Sequence, residues 1–407
     1  MATRDTVSRG PKSNGPNPDG PIHNEPASTG RSASVGREAI ASALRRVAII
    51  APSGASLRRN RLGLIRAITT RRHGVMVFAP EFSADDGKAL DSIGLERRIL
   101  PPKPPGLALF AEQRATAALA ADLASYRPHA VLTYGDETGL RGARAARKAK
   151  VARIVALVNG LPTAGRFGDR ACRALARTLQ LADLAVFHNP DDPKTLAKAS
   201  MLPPDLPYTI VPGAGVDLAA NSVQPLPALG DGLTFLMIAR LDKATGVLDY
   251  IAAARSLRAR APTARFLLVG PPGRGATAVQ LSGAGADRDG VDYLGPLDDV
   301  RPAIARCHVY VYPSHAEGMP RSVLEAMSAG RPVITTQVPG CRDTVDERVN
   351  GCLVPPSDPV ALGSAMESFL KRPDLIASMA RASRGKAERR FDERGVNATI
   401  MDALGLT

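Results

Sequence analysis

Two carboxylates, Glu317 and Glu325, stand eight residues apart in H-A-E-G-M-P-R-S-V-L-E, residues 315 to 325, directly after the apolar run C-H-V-Y-V-Y-P-S. Pro320 suits the first turn of a helix, so the spacing predicts a helix over Arg321 to Ala329 whose free backbone N–H groups point back at the Glu317-Gly318-Met319 loop. That is an anion site. Gly318 would let a phosphate or a sugar approach the main chain, and the helix dipole favours the charge of a diphosphate. From the second turn Glu325 could accept two hydrogen bonds from a ribose diol, and Glu317 could do the same for sugar hydroxyls. Taken alone, each acid has a plainer reading: an exposed helix acid, and a complement to the positive helix terminus.

A second cluster strengthens the first reading. In A-R-L-D-K-A-T-G-V-L-D-Y-I, residues 239 to 251, Arg240 and Lys243 follow a strand-like run and would stand at the same sheet edge as the two acids. Two cations facing a helix N-terminus make a diphosphate clamp. Ser53 and Gly54, in S-G-A-S after the first strand-like run, could bring N–H groups toward a donor phosphate or form an ordinary strand-to-helix turn, and composition does not choose between these. The glycines of L-V-G-P-P-G-R-G, residues 268 to 275, lack the spacing of a dinucleotide loop.

These residues need rigid elements to hold them. Short apolar runs at Val47–Ala51, Val75–Ala79, Ala130–Thr133, Ile154–Val158, Leu184–Phe187 and Thr209–Val211 alternate with helical patterns, which is the signature of a parallel sheet with crossover helices. The rhythm repeats at Leu233–Ala239, Phe266–Val269, Val291–Leu294, His308–Tyr312, Pro332–Thr335 and Cys352–Val354. The expected fold class is α/β, with two Rossmann-like domains and a cleft between them. A Pro- and Gly-rich tail over 1–42, an N-terminal domain over 43–215, a C-terminal domain over 216–388 and a C-terminal helix over 389–407 returning to the first domain complete the plan. Residues 212 to 227, rich in turn formers, read as the linker.

Composition narrows the ligands. A chain of 407 residues with 44% apolar content can fill two cores, and its net charge of +14 favours an anionic partner. Without Trp and with few other aromatics, stacking on nucleic acid ranks last. Cys172, Cys307, Cys341 and Cys352 lack metal-ligand spacing and suit a reducing cytoplasm. No run is long enough to span a bilayer. Residues 56 to 72 set Leu57, Leu64, Ile65 and Ile68 among Arg58, Arg59, Arg61, Arg66, Arg71 and Arg72. Such a helix could lie on an anionic membrane surface, or could pack its apolar face on the sheet. Arg141, Arg144, Arg147, Lys148 and Lys150 pose the same choice.

The run E-G-M-P-R-S-V-L-E-A-M-S-A-G-R-P-V-I-T-T-Q-V-P-G-C-R-D-T-V from Glu317, continued by N-G-C-L-V-P-P-S-D-P, resembles the signature of family 4 retaining glycosyltransferases, which have the GT-B fold. L-I-R-A-I-T-T-R-R-H-G-V-M-V-F-A-P, V-L-T-Y-G-D, F-H-N-P-D-D and V-P-G-A-G-V-D-L in the first half resemble the branch that extends undecaprenyl-diphosphate-linked sugars. The resemblance covers the chain from about Arg46 onward. It implies that Glu325 binds the nucleotide ribose, Glu317 the donor sugar, Gly318, Met319 and Pro320 the diphosphate and sugar, and Arg240 the diphosphate. It also implies a UDP-linked donor, a lipid-linked saccharide acceptor, no cofactor or metal, and a cytoplasmic protein peripheral on the inner membrane face. Asp287-Arg288-Asp289 then reads as a surface loop. Two positions depart from the pattern. Thr245 stands where relatives carry a lysine, which leaves Lys243 as the nearby replacement, and Asn159, on the acceptor side, stands where they often carry an acid or histidine. A nucleotide-sugar epimerase and a nucleotide-sugar-binding protein without turnover are the competing readings.

Overall fold

The computed structural model describes residues 44–100, 108–161, 170–273, 275, 278–279, 281 and 290–407. The tail over 1–42 and Asp287-Arg288-Asp289 lie outside these residues.

The first set of apolar runs forms a seven-stranded sheet of β1 (Arg46–Ile50), β2 (Gly74–Ala79), β3 (Glu96–Ile99), β4 (Ala130–Tyr134), β5 (Arg153–Val158), β6 (Leu184–Phe187) and β7 (Tyr208–Ile210), in the order β3-β2-β1-β4-β5-β6-β7. The second forms a six-stranded sheet of β8 (Thr234–Ile238), β9 (Arg265–Val269), β10 (Asp292–Tyr293), β11 (Val309–Tyr312), β12 (Val333–Thr336) and β13 (Gly351–Val354), in the order β10-β9-β8-β11-β12-β13. All pairings are parallel. Helices cover both faces, so strands such as Val47–Ile50 and Val309–Tyr312 are buried throughout and need unbroken apolar sequence.

Both sheets therefore have the doubly wound Rossmann order, and β7 lengthens the first. In each, the direction of winding reverses between two central strands, β1 and β4 in the first and β8 and β11 in the second. The crevice beyond their carboxyl ends is where such a sheet binds ligands. The loops that leave β8 and β11 carry Arg240, Lys243 and Glu317, so topology alone brings these residues together.

Strand β3 is absent from the sequence reading because E-R-R-I has no apolar pattern. It is an edge strand exposed along its length, and Ile99 is 67% exposed. The basic segment 56–72 is also corrected. It is two helices, Gly54–Asn60 and Leu62–Thr70, broken at Arg61 (φ −130°, ψ 0°). Leu57, Leu64, Ile65 and Ile68 are buried in the core of the first sheet, so no apolar stripe is left for a membrane. In the second basic segment Arg141 is paired with Glu112 and Arg147 with Asp183. The core-packing alternative holds for both.

The chain crosses between the lobes twice, side by side. Val216 N donates to Phe391 O at 2.8 Å, and Glu393 N donates to Val216 O at 3.1 Å. After the second crossing, the helix Glu393–Ala403 buries Val396, Ile400 and Met401 in the core of the first sheet.

Candidate functional site

Strand β11 ends in Tyr312, and the loop Pro313–Pro320 leads into the helix Arg321–Ser328, with Pro320 as its N-cap residue. Glu317 does not point into solvent. Its carboxylate accepts from Tyr312 Oη at 2.8 Å and from the Gly318 N–H at 3.1 Å. Burial pushes its pKa up, and these two donors together with the nearby Arg240 guanidinium partly oppose that rise. Eight residues on, Glu325 is half-buried on the helix and accepts from Arg321 Nε at 2.8 Å.

The loop after β8 is built to hold a fixed turn against this one. Thr245 Oγ1 lies 2.9 Å from Arg240 O and 2.7 Å from Asp242 O, so its hydroxyl closes the turn from inside. Gly246 takes φ 74°, and a Cβ there would stand 1.9 Å from Pro313 O. His315 N and Ser314 Oγ both donate to Ala244 O, at 2.9 and 3.3 Å, and His315 Nε2 meets Asp249 Oδ2 at 2.6 Å. The two loops are therefore bonded to each other at Ala244 and Asp249. On the first of them, Arg240 pairs with Asp242 at 2.5 Å, whereas the exposed Lys243 pairs with no carboxylate among the described residues.

The first lobe closes directly over Gly318. A Cβ on this glycine would stand 1.7 Å from Asn159 O, and Asn189 Nδ2 donates to Gly318 O at 3.3 Å. One side of Gly318 is thus occupied by the opposite lobe, and a ligand would have to approach from the other. Arg342 and Asp191 form a further ion pair across the lobes.

Behind Asn159 lies a group that sequence reasoning placed on the surface. Arg61 is only 1% exposed. Its NH2 group donates to Asn159 Oδ1 at 2.9 Å and to His188 Nε2 at 3.0 Å, and its guanidinium lies 5.6 Å from the centre of the Tyr134 ring. Because a guanidinium only donates, His188 Nε2 must accept, which leaves the other ring nitrogen to carry the proton and bond the Asn159 backbone. Burial, helped by Arg61, holds His188 well below its ordinary pKa, so the imidazole is neutral. Burial also pulls Arg61 down to about 10, so it remains a cation at neutral pH. No carboxylate pairs with it among the described residues. Nothing in N-R-L-G-L-I-R-A marks Arg61 off from its neighbours, because only the helix break turns it inward.

Ser53 and Gly54 belong to the fold. The Ser53 hydroxyl accepts from Ser56 N at 3.1 Å as a helix N-cap, and the Gly54 N–H is donated to Glu81 O at 3.0 Å. The ordinary strand-to-helix turn is the reading these contacts support, and Gly54 offers no N–H to a phosphate. Met319 packs against the core of the second lobe. Three of the four cysteines are buried, and all four are free.

Between the lobes lies a cavity of about 460 Å³, walled by Asn159, Gly160 and Asp192 on one side and by His315, Glu317 and Gly318 on the other. Asp192 sits in the first turn of the helix Asp191–Lys198 and is 5% exposed. Its Oδ2 is buried with no hydrogen-bond partner. Burial raises its pKa to about 6, a hydrogen bond from Asn189 opposes this, and the charge of Asp191 adds to it. Below about pH 4 the carboxyl is protonated in both the folded and the unfolded chain and costs nothing. As pH rises from about 4 to 6 the unfolded chain ionises first, stability is lost, and above pH 6 the cost is about 2 to 3 kcal/mol. Asp192→Asn is therefore expected to raise the melting temperature by a few degrees near neutral pH and to have little effect near pH 4. Thermal unfolding at the two pH values checks this, and an equal destabilisation at both would contradict it.

Two doubly wound lobes facing across such a cleft, with acids and cations at the switch point of the second, define the GT-B arrangement. Residues 232–372 match the family of glycosyl transferases group 1. The chain is 28% identical over 202 residues to the putative colanic acid biosynthesis glycosyltransferase WcaL of Escherichia coli (strain K12), covering 47% of this chain and 50% of that protein. It is 28% identical over 148 residues to N,N'-diacetylbacillosaminyl-diphospho-undecaprenol alpha-1,3-N-acetylgalactosaminyltransferase of Campylobacter jejuni, covering 36% of this chain and 38% of that one. The chain thus spans about half or less of the length of these curated relatives. Among solved structures, Anabaena Alr3699/HepE in complex with UDP-glucose superposes with a TM-score of 0.73 over 89% of this chain and 100% of that one, at 18% identity. That likeness is one of fold.

Proposed function

We propose that the protein is a retaining glycosyltransferase that moves a sugar from a UDP-linked donor to a lipid-linked saccharide in the assembly of a cell-surface polysaccharide. The observation that carries this reading is the placement of Glu317 and Glu325 on one loop-and-helix unit at the switch point of the second sheet, with Arg240 and Lys243 on the loop bonded to it. The helix start and the two cations suit a diphosphate, Glu325 suits a ribose diol, and Glu317, oriented by Tyr312, suits hydroxyls of the transferred sugar. As the glycosidic bond to the diphosphate breaks, negative charge grows on the leaving group. A fixed cation there lowers the barrier without reorganising. The first lobe meets the same loop through Asn159, whose carbonyl lies against Gly318. Support for the donor and acceptor classes comes from the relatives: one is named for a diphospho-undecaprenol-linked sugar, and one of similar fold is solved with UDP-glucose.

The test is a transfer assay with UDP-glucose, UDP-galactose and their N-acetylamino counterparts as donors and an undecaprenyl-diphosphate-linked N-acetylglucosamine as acceptor, the product linkage being read by proton NMR. An α-linked product from an α-linked donor is expected. A β-linkage would remove the retaining assignment, and the absence of UDP release from every donor would remove the transferase.

A further inference from the structure

We propose that Arg61 is a positioning residue of the transfer reaction: it holds the Asn159 side chain by its oxygen, so that what this side chain offers to the cleft is an N–H donor. This rests on the glycosyltransferase reading above and gives the first lobe a part in it. Asn159 is half-buried and lines the cavity between the lobes together with Glu317 and Gly318. A guanidinium has only donors, so the amide atom 2.9 Å from Arg61 has to be the oxygen, and this partner alone tells apart two amide ends that are alike in shape. The amide nitrogen has no hydrogen bond among the described residues and is not one of their buried atoms left without a partner, so it is open to solvent. From behind, the protonated nitrogen of His188 bonds the Asn159 backbone, and the Asn159 carbonyl lies against Gly318.

The plainer role of a buried arginine is to bind main-chain carbonyls, and Arg331 has that form. It is fully buried, and its three nitrogens donate to carbonyls that include those of Ile304, Gln224 and Pro225, at 2.9 to 3.0 Å. Arg61 is built differently. Its NH2 group donates to the side chains of Asn159 and His188, and its Nε is buried with no partner. A buried cation with neither a carboxylate nor a full set of acceptors costs stability, and an apolar side chain of similar length would serve packing better. What the arginine adds is the orientation of one amide on the cavity wall, since without a donor-only partner that amide can turn over and present its oxygen. An N–H at this point meets a lone pair on a substrate oxygen and cannot take up a proton, which assigns Asn159 to holding a substrate and not to acting as a base.

A double-mutant cycle tests this, read by steady-state transfer on the full chain with the four UDP-sugars and the undecaprenyl-diphosphate-linked N-acetylglucosamine probe. Arg61→Met and Asn159→Ala should each lower turnover about tenfold, the loss of one hydrogen bond to a substrate, while UDP affinity by calorimetry stays within about twofold. Combining them should cost less than about twofold beyond Asn159→Ala alone, because Arg61 acts through that side chain. A merely structural arginine would give effects that multiply, and its loss would weaken UDP binding as well. Asn159→Asp is the second arm and leaves Arg61 in place. The carboxylate keeps the bond to the guanidinium but puts an acceptor where the N–H was, so this variant should melt no lower than the wild type and still lose about tenfold in turnover. Multiplying effects in the cycle, or full turnover in Asn159→Asp, overturns the proposal. A wild type that releases no UDP from any of the four donors overturns the transferase reading and this one with it.

Discussion

Replacing Glu325 by alanine is expected to weaken UDP binding about 10- to 100-fold while leaving the fold intact. The magnitude follows from losing the hydrogen bonds of a ribose diol to a charged acceptor, roughly 1.5 to 3 kcal/mol, at about 1.4 kcal/mol per tenfold. The fold should survive because the carboxylate's bond is to Arg321, one turn earlier on the same helix, and both side chains are in part open to solvent. Pairs of that kind contribute well under 1 kcal/mol. A control isolates the ribose. A UDP analogue lacking both ribose hydroxyls should bind the wild type about as weakly as UDP binds the variant, and the variant should not distinguish the two nucleotides. Equal UDP affinity in wild type and Glu325→Ala would remove the assignment.

Lys243→Ala is expected to lower turnover by about two to three orders of magnitude and donor affinity by less than tenfold. Charge on the diphosphate grows toward the transition state, so a cation aimed at it contributes more to turnover than to binding. The structure sharpens the choice of cation. Thr245, where the resemblance to family 4 glycosyltransferases implies a lysine, has its hydroxyl committed to the carbonyls of Arg240 and Asp242, so it serves the turn. Arg240 is partly neutralised by Asp242 at 2.5 Å. Lys243 is exposed, pairs with no carboxylate among the described residues, and sits in a turn bonded to the Glu317 loop. Its long stem can reach a phosphate from a displaced backbone position. Adding Thr245→Lys to Lys243→Ala should restore part of the activity, although it gives up the bonds that close the turn. Full activity in Lys243→Ala would show that Arg240 and the helix terminus suffice. Activity that appears only when Thr245 becomes lysine would favour a nucleotide-sugar-binding protein without turnover.

What the sequence shows of this fold follows from where apolar residues are forced. Strands buried on both faces, such as V-A-I-I and V-Y-V-Y, must be continuous apolar runs and are legible at once. The edge strand Glu96–Ile99 buries no residue and leaves no trace. The same logic divides the site. Glu317 and Glu325 are readable because a proline and a glycine mark the turn between a buried strand and a helix. Arg61 is not, because six arginines crowd residues 58 to 72 and a single break in backbone geometry decides which one turns inward. Asp192 is hidden for a related reason. In F-H-N-P-D-D two identical side chains sit side by side, and only the start of the helix after Pro190 leaves Asp191 half-exposed and buries Asp192. Burial of the apolar face of 56 to 72 likewise rests on sheet packing, which a helical periodicity shared with membrane-surface helices does not reveal.

A crystal structure of the full chain grown with saturating UDP measures most directly where the nucleotide sits. The predicted result is the ribose hydroxyls on the Glu325 carboxylate, the diphosphate at the start of the helix Arg321–Ser328 within reach of Arg240 and Lys243, and the space in front of Glu317 left open for the sugar. Density for UDP at any other place in the molecule, or none in crystals whose protein binds UDP in solution, would contradict it.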